Sequence, residues 1–379
     1  MAKVGIVTVY TGFNYGSSLQ AYATKIILKN MGYEAVLLGQ SGSIVQGRDI
    51  RVKKIIDIGM RVLAHPSTYK KIKSFQTSPS AAATEKTKEL FNMFTDVYLN
   101  PQVKKWSELK RLAKRDDYVA FLCGSDQIWN ADALYVDPFY YLRFAPVAKR
   151  IAFSPSFGRE RIPTYNKRVI AKYLEEIPIL SVREKSGVRI INDLVNKKSV
   201  CLLDPTIIIS KDEWVDTLNI VRGRNDYILA YFLNRPSDRA VECIKAIAKD
   251  TNRKVIALPY RNIHEEWFDE AVIAGPFDFV ELVANSAFIL TDSFHGVAFS
   301  INFQIPFYVF ERQYGAASNQ SERIHSLLEI VSLEDRFEPI TQDFNAPINF
   351  TSLEQRLEKE RQTAKEYLYE SIGKVIYGS

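Results

Sequence analysis

Short apolar runs alternate with amphipathic stretches along almost the whole chain. KVGIVTVY at 3–10 opens the series, a helical pattern follows from about Ser18 to Met31, and EAVLLG comes next. DYVAFLCG then ends at Gly124, KRIAFSP at Pro155, PILSVR at Arg183 and KSVCLLDP at Pro205. After the polar stretch NIVRGRND, a second series starts with DYILAYFL and continues through KVIALPY, SAFILTDS and PFYVFER. This repeated strand–helix alternation predicts parallel sheets with helices on both faces. The expected fold is α/β, with two doubly wound Rossmann-like domains at 1–220 and 221–345 and a boundary near Leu218–Asn225. A charged helical pattern from Ser352 to about Ile376 predicts one long helix in the remaining segment, 346–379. Doubly wound sheets bind ligands beyond the carboxyl ends of their strands, so two such domains facing across a cleft would hold a ligand between them.

The loops after the strands are therefore where chemistry is expected, and four carry unusual polar content. The first, Gly12 to Ser18, is longer than a plain strand-to-helix turn requires. Asn14 and Gly16 tolerate backbone angles that bulky residues avoid, and Ser17 or Ser18 can cap the following helix. Free N–H groups at a helix N-terminus favour an anion, although a well-made turn would look the same. The second is CGSDQIWN, where Asp126, Gln127, Trp129 and Asn130 crowd the end of an apolar strand. An aromatic face beside hydroxyl-binding groups is a composition suited to sugars. The third, SVREKSG, ends a strand at Arg183, which can reach into the cleft or pair at the surface with Glu184. The fourth, FILTDSFHGVAFS, puts Ser293, His295 and Gly296 at the start of a helix, and His295 alone of the four histidines sits at such a turn. Downstream, Arg312, Arg323 and His325 surround a Gly/Ala/Ser/Asn stretch, with Glu322 and Glu329 as ordinary pairing partners.

Composition narrows the partners. A chain of 379 residues exceeds one ordinary core, and 46% hydrophobic with 25% charged residues is a globular balance. No apolar run approaches the roughly 20 residues of a spanning helix, and KVGIVTVY is too short for a signal-peptide core. Cys123, Cys201 and Cys243 lie far apart, which argues for a reducing, cytoplasmic setting and against a disulfide framework or a zinc site. The net charge of +6 is uneven: eight Lys and Arg lie between Arg48 and Lys73, against only Asp49 and Asp57. That suits an anionic partner, with a solvated basic helix as the plain alternative. No recognised nucleic-acid-binding motif is present, so nucleic acid is not expected.

Taken together, NYGSSLQAYA, GSDQIWN, SVREKSG with LLDPT, and TDSFHGVAFSINFQIPF with SERIHSLL resemble the polysaccharide pyruvyl transferase family. The resemblance covers most of the chain and holds in the family's order. It implies a GT-B-like fold and transfer of the enolpyruvyl unit of phosphoenolpyruvate onto sugar hydroxyls, usually closing a pyruvate ketal. It implies a cleft position for Asn14, Tyr15, Gly16 and Ser17, which with Gln127, Trp129 and Asn130 would bind the acceptor. His295 would be the donor-side acid or a phosphate ligand, and Asp126 the base. Arg183 and Arg323 would clamp the donor's anionic groups. Ser293, Gly296 and Arg312 complete the donor side, and neither metal nor cofactor is required. Many family members carry Arg-Leu-His-Gly where this chain has Ser293-Phe294-His295-Gly296, so Arg312 or Arg323 would have to supply the charge. A nucleotide-sugar glycosyltransferase and a non-catalytic sugar-binding assembly protein remain the alternatives. The acceptor could be a sugar or a lipid-linked oligosaccharide. In the latter case the segment 48–73, with Ile55, Ile56, Val62 and Leu63 among its cations, is a candidate contact with the inner face of the membrane.

Overall fold

The computed structural model describes residues 1–41, 84–131, 136–223, 225–258, 266–312, 321–339 and 347–378, plus isolated positions between 55 and 63. Apart from those positions the basic segment 48–73, and with it the candidate membrane contact, lies outside the described residues. Among the described residues no helix is long and apolar enough to cross a membrane.

Five strands, β1 (Lys3–Val7), β2 (Glu34–Gln40), β3 (Gln102–Lys104), β4 (Tyr118–Cys123) and β5 (Arg150–Ala152), form the first sheet. Their order is β3-β2-β1-β4-β5, all parallel. A short parallel pair, β6 (Ser181–Val182) and β7 (Val200–Cys201), continues it beyond β5 through a bridge from Ile151 to Ile179. The second sheet takes β8 (Tyr227–Tyr231), β9 (Lys254–Leu258), β10 (Glu270–Ala271), β11 (Phe288–Thr291) and β12 (Phe307–Val309). Its order, β10-β9-β8-β11-β12, repeats that of the first, again all parallel. The predicted α/β architecture of two doubly wound units is present. Among the described residues only β3 and β10 escaped the apolar pattern, because both are two- or three-residue edge strands whose side chains are mostly exposed.

Strand alternation sorts side chains into layers. Ile6 and Leu122 point into a central core, while Val7, Phe121 and Cys123 point into an outer one. In the second sheet Leu229 and Ile289 face the same central core, and Ile228 and Leu290 face a third. The inner faces of both sheets thus share one apolar mass.

The helices that matter for the site are α1 (Tyr15–Asn30), α2 (Pro205–Ile208), α3 (Pro276–Ala284), α4 (Phe294–Phe303), α5 (Glu322–Val331) and α6 (Phe350–Tyr377). The first of them begins at Tyr15, earlier than the Ser18 expected. Asn14 is its cap, accepting from Ser17 N at 3.2 Å, in place of Ser17 or Ser18. Asn caps as well as Ser does, and the small Gly16, Ser17 and Ser18 are buried in the first turn where bulk would not fit. Tyr15 then reaches across to the second unit, stacking on Phe279 at 4.8 Å and donating to the Ala274 carbonyl at 3.0 Å. At the other end of the chain, α6 crosses back. Its Leu368 and Ile372 enter the central core, and Tyr367 donates to the Ala152 carbonyl of β5 at 2.9 Å.

Candidate functional site

Each sheet reverses its winding once, between β1 and β4 in the first and between β8 and β11 in the second, and the carboxyl ends of these four strands converge. Between them lies a cavity of about 350 Å³. Asn14, Ser17, Asp126, Gln127 and Asn130 form its wall on the side of the first sheet. Ser293, Phe294, His295, Arg312 and Arg323 form the wall on the side of the second.

Local sequence fixes the first wall. Asp126 follows β4 with φ of 63°, a left-handed conformation that turns the chain sharply back. Its Oδ2 accepts from Ser17 Oγ at 2.5 Å, tying the two polar loops together. Gln20, fully buried in α1, does the same job one turn further in. Its amide nitrogen donates to Thr8 Oγ1 at 2.9 Å and Val9 O at 2.8 Å, and its oxygen accepts from Ser125 N at 3.1 Å. The signal for Gln20 was available in the sequence, as a polar residue on an apolar helix face.

The second wall rests on α4. Ser293 is its cap, with Gly296 N donating to Ser293 Oγ at 3.4 Å, and Ser293, Phe294 and His295 at this helix N-terminus line the cavity. Gly296 itself does not line the cavity. Its role is packing: a Cβ there would collide with Thr291 Oγ1, itself donating to Tyr231 O at 2.6 Å. Arg312 is held against Asp292, with Nε 3.3 Å from Oδ2 and Nη2 donating to the Asp292 carbonyl at 3.1 Å. The Arg323 guanidinium stands 5.6 Å from the centre of the Phe294 ring, and the Arg183 guanidinium 4.2 Å from it.

Besides Gly296, four expected site residues do not line the cavity: Trp129, Tyr15, Arg183 and Gly16. Trp129 is buried, stacked on Tyr141 at 5.2 Å, and its Nε1 donates to Tyr140 O at 3.0 Å, so no indole face is offered to a sugar. Tyr15 is committed to the stack with Phe279. Arg183 sits behind the cavity, its side chain 1% exposed, with Nη1 2.5 Å from Asp204 Oδ2 and Nη2 3.6 Å from Asp126 Oδ1. Two carboxylates neutralise it, so it braces the wall and does not present its charge to a ligand. Gly16, also expected in the wall, instead packs on the His295 ring, which a Cβ at that position would overlap. Gly16→Ala should therefore displace the imidazole and lower stability by about 1–3 kcal/mol, the usual cost of overpacking a buried site. Turnover is expected to fall by about 10- to 100-fold, since a 1 Å misplacement of a reacting group can cost about 10²-fold. Unchanged turnover in the assay described below would show that His295 tolerates the shift.

The charges in this region are mutually arranged. Burial raises the Asp126 carboxyl, but Arg183, His295, Ser17 and Arg323 outweigh it and leave the group below its ordinary range. Asp204 is opposed by burial in the same way, yet the Arg183 guanidinium and His295 hold it well below the usual carboxylate range. Burial pushes Asp292 up, against Arg312 and the N–H groups of Leu233 and Asn234, which donate at 2.7 and 3.3 Å. Glu184, fully buried, is likewise pushed up by burial while it accepts from Phe157 N at 2.8 Å. Asp204 was the residue the sequence did not single out, although LLDPT had been marked. An aspartate before proline at a strand end looks like an ordinary cap. The chemistry is two-sided: one wall offers guanidinium groups, an imidazole and a helix N-terminus, the other a carboxylate, a hydroxyl and amides.

A family model described as polysaccharide pyruvyl transferase matches residues 14–314. No curated protein matches the chain in sequence. Among solved structures, the chain is similar to the UDP-GlcNAc 2-epimerase from Neisseria meningitidis bound to UDP-GlcNAc. Identity is 11% and the TM-score 0.48, over 99% of this chain and 100% of that one. The S. aureus MnaA–UDP co-structure is 13% identical, with a TM-score of 0.45 over 100% and 93% of the two chains. For Acinetobacter baumannii MurG the values are 11% and 0.43, over 98% and 99%.

Proposed function

Because the chain belongs to the polysaccharide pyruvyl transferase family, we propose that it moves the enolpyruvyl unit of phosphoenolpyruvate onto hydroxyls of a sugar, closing a pyruvate ketal. The observation that supports this reading is the two-sided cavity. Phosphoenolpyruvate carries a carboxylate and a phosphate, and the wall with Arg312, Arg323 and the α4 N-terminus offers donors to both. A sugar hydroxyl suits the opposite wall, where Ser17, Asp126 and Asn14 supply donors and acceptors.

In this mechanism His295 protonates the methylene carbon, C2 becomes oxocarbenium-like, and the first hydroxyl adds to it. The C2–O bond to phosphate then breaks, and a second hydroxyl adds to the renewed cation. Two hydroxyl protons are released: one replaces the proton given by His295 and one leaves with phosphate. Asp126 takes the hydroxyl proton. Its lowered pKa makes it a weak base, which is enough for a hydroxyl that grows acidic as its oxygen bonds to a cationic carbon. Ser293 provides no charge, so Arg312 or Arg323 on the cavity wall has to do so. Arg323→Ala is expected to weaken donor binding by about 1.5–3 kcal/mol, the range for a hydrogen bond to a charged group. Arg323→Lys should rescue poorly, because a point charge cannot reproduce the planar fork. Titration of phosphoenolpyruvate against both variants checks this, and unchanged dissociation constants would remove Arg323 from the donor site.

The proposal as a whole is tested by incubating the protein with phosphoenolpyruvate and a panel of sugars and measuring inorganic phosphate. Thermal shifts with phosphoenolpyruvate and with nucleotide sugars run alongside. Stabilisation by nucleotide sugars alone, with nucleotide released and no phosphate from phosphoenolpyruvate, would replace the proposal with glycosyl transfer.

A further inference from the structure

Asp204 precedes α2, is buried, and divides its two oxygens between separate tasks. Oδ1 accepts from Thr206 N at 3.0 Å and Thr206 Oγ1 at 2.8 Å, which caps the helix. Oδ2 accepts from Arg183 Nη1 at 2.5 Å and from Ser125 Oγ at 2.8 Å, and it stands 3.8 Å from His295 Nε2. We infer that Asp204 is the positioning partner of His295: it takes the Nε2–H of the imidazole, fixes the tautomer, and leaves Nδ1 to exchange a proton with the ligand. The inference rests on the reading of His295 as the donor-side acid.

Geometry carries the argument. His295 Nε2 is buried and makes no hydrogen bond in this structure, and a buried ring nitrogen needs a partner. The separation of 3.8 Å is that of an ion pair and is too long for a hydrogen bond, as is common at catalytic pairs before a ligand closes the site. Asp204 cannot move away to another partner, because Arg183 and Ser125 fix Oδ2 while Thr206 fixes Oδ1. The imidazole is also confined by Gly16, which packs on the ring.

Around the ring the charges nearly balance. Asp204 and Asp126 act on it as anions, and Arg183, Arg312 and Arg323 stand nearby as cations. In the proposed step the His295 imidazolium gives Nδ1–H to the donor carbon and returns as the neutral ring with Nε2–H still on Asp204. The acceptor hydroxyl restores the lost proton, so no outside reagent is needed.

The test is Asp204→Asn, read in two ways on the full chain. Imidazole ¹⁵N resonances, with His295 assigned by their loss in His295→Gln, should show a ring protonated at Nε2 in the wild type at neutral pH. In Asp204→Asn that preference should be lost. A wild-type ring protonated at Nδ1, or an unchanged ring in folded Asp204→Asn, would overturn the inference whatever the donor proves to be. Phosphate release should fall about 10- to 100-fold in kcat, the usual cost of losing an orienting partner, with KM for phosphoenolpyruvate within about threefold. A fall expressed wholly in KM would overturn it too. If wild-type protein released no phosphate, the functional proposal would fail while the resonance test still decided on Asp204. Should the single variant not fold because buried Arg183 loses one of its two carboxylate partners, Asp204→Asn with Arg183→Met removes both charges together. Folded double variant is expected to lose the Nε2 preference, and its retention would overturn the assignment.

Discussion

His295→Gln is expected to fold like the wild-type protein and to lose at least about 10²-fold in turnover, the scale for removing an acid–base group. The fold should survive because α4 is capped by Ser293 and packed through its apolar residues, neither of which depends on the imidazole. Glutamine can occupy the space and keep a polar contact toward Asp204, but it cannot deliver a proton to carbon. Donor affinity should therefore change far less than kcat, since Arg312, Arg323 and the helix N-terminus stay in place. Phosphate release under saturating phosphoenolpyruvate, with a thermal unfolding curve as the folding control, makes the measurement. Near-normal release by the folded variant would remove His295 from the mechanism.

The second large effect concerns stability. Arg361 on α6 has a side chain with 0% exposure, and each arm of its guanidinium is used. Nε donates to Ile207 O at 2.9 Å, Nη2 to Asn302 Oδ1 at 2.9 Å and Nη1 to Glu354 Oε1 at 2.6 Å. Arg361→Ala leaves a buried carbonyl and a buried amide oxygen without these donors and opens a void the size of a long side chain. The expected loss is about 3–5 kcal/mol, as for breaking other buried charged contacts from one side. Arg361→Met refills most of the volume without the hydrogen bonds, so it should recover part of the loss and no more. Urea unfolding of the three proteins decides it, and an alanine variant within about 1 kcal/mol of wild type would show that the network is dispensable.

How far the site could be read from the chain depended on whether a residue's direction was local. Strand ends were legible because apolar runs stop abruptly there, and Asn14, Asp126 and His295 follow such stops. The doubly wound architecture was legible for the same reason. Trp129 was misjudged because composition marks an aromatic residue but not which way it turns, and Tyr141 and Phe157 claim its ring. Arg183 ends a strand as expected, but only the approach of Asp204 and Asp126 decides that its charge is used up inside the protein. Asp204 could not be singled out because the partners that give it meaning, Arg183, Ser125 and His295, are contributed by distant strands and helices.

The return of α6 onto β4 and β5 has a consequence for biosynthesis. The first sheet emerges from the ribosome early, yet part of its inner face waits for Leu368 and Ile372, which are translated only after the whole second sheet. Until then the inner face of β4 lacks the cover that α6 gives it. Apolar surface left open in this way makes a nascent chain prone to association for as long as it stays open. The two units are therefore not beads that mature in turn: completion of the first is postponed until the second has been made.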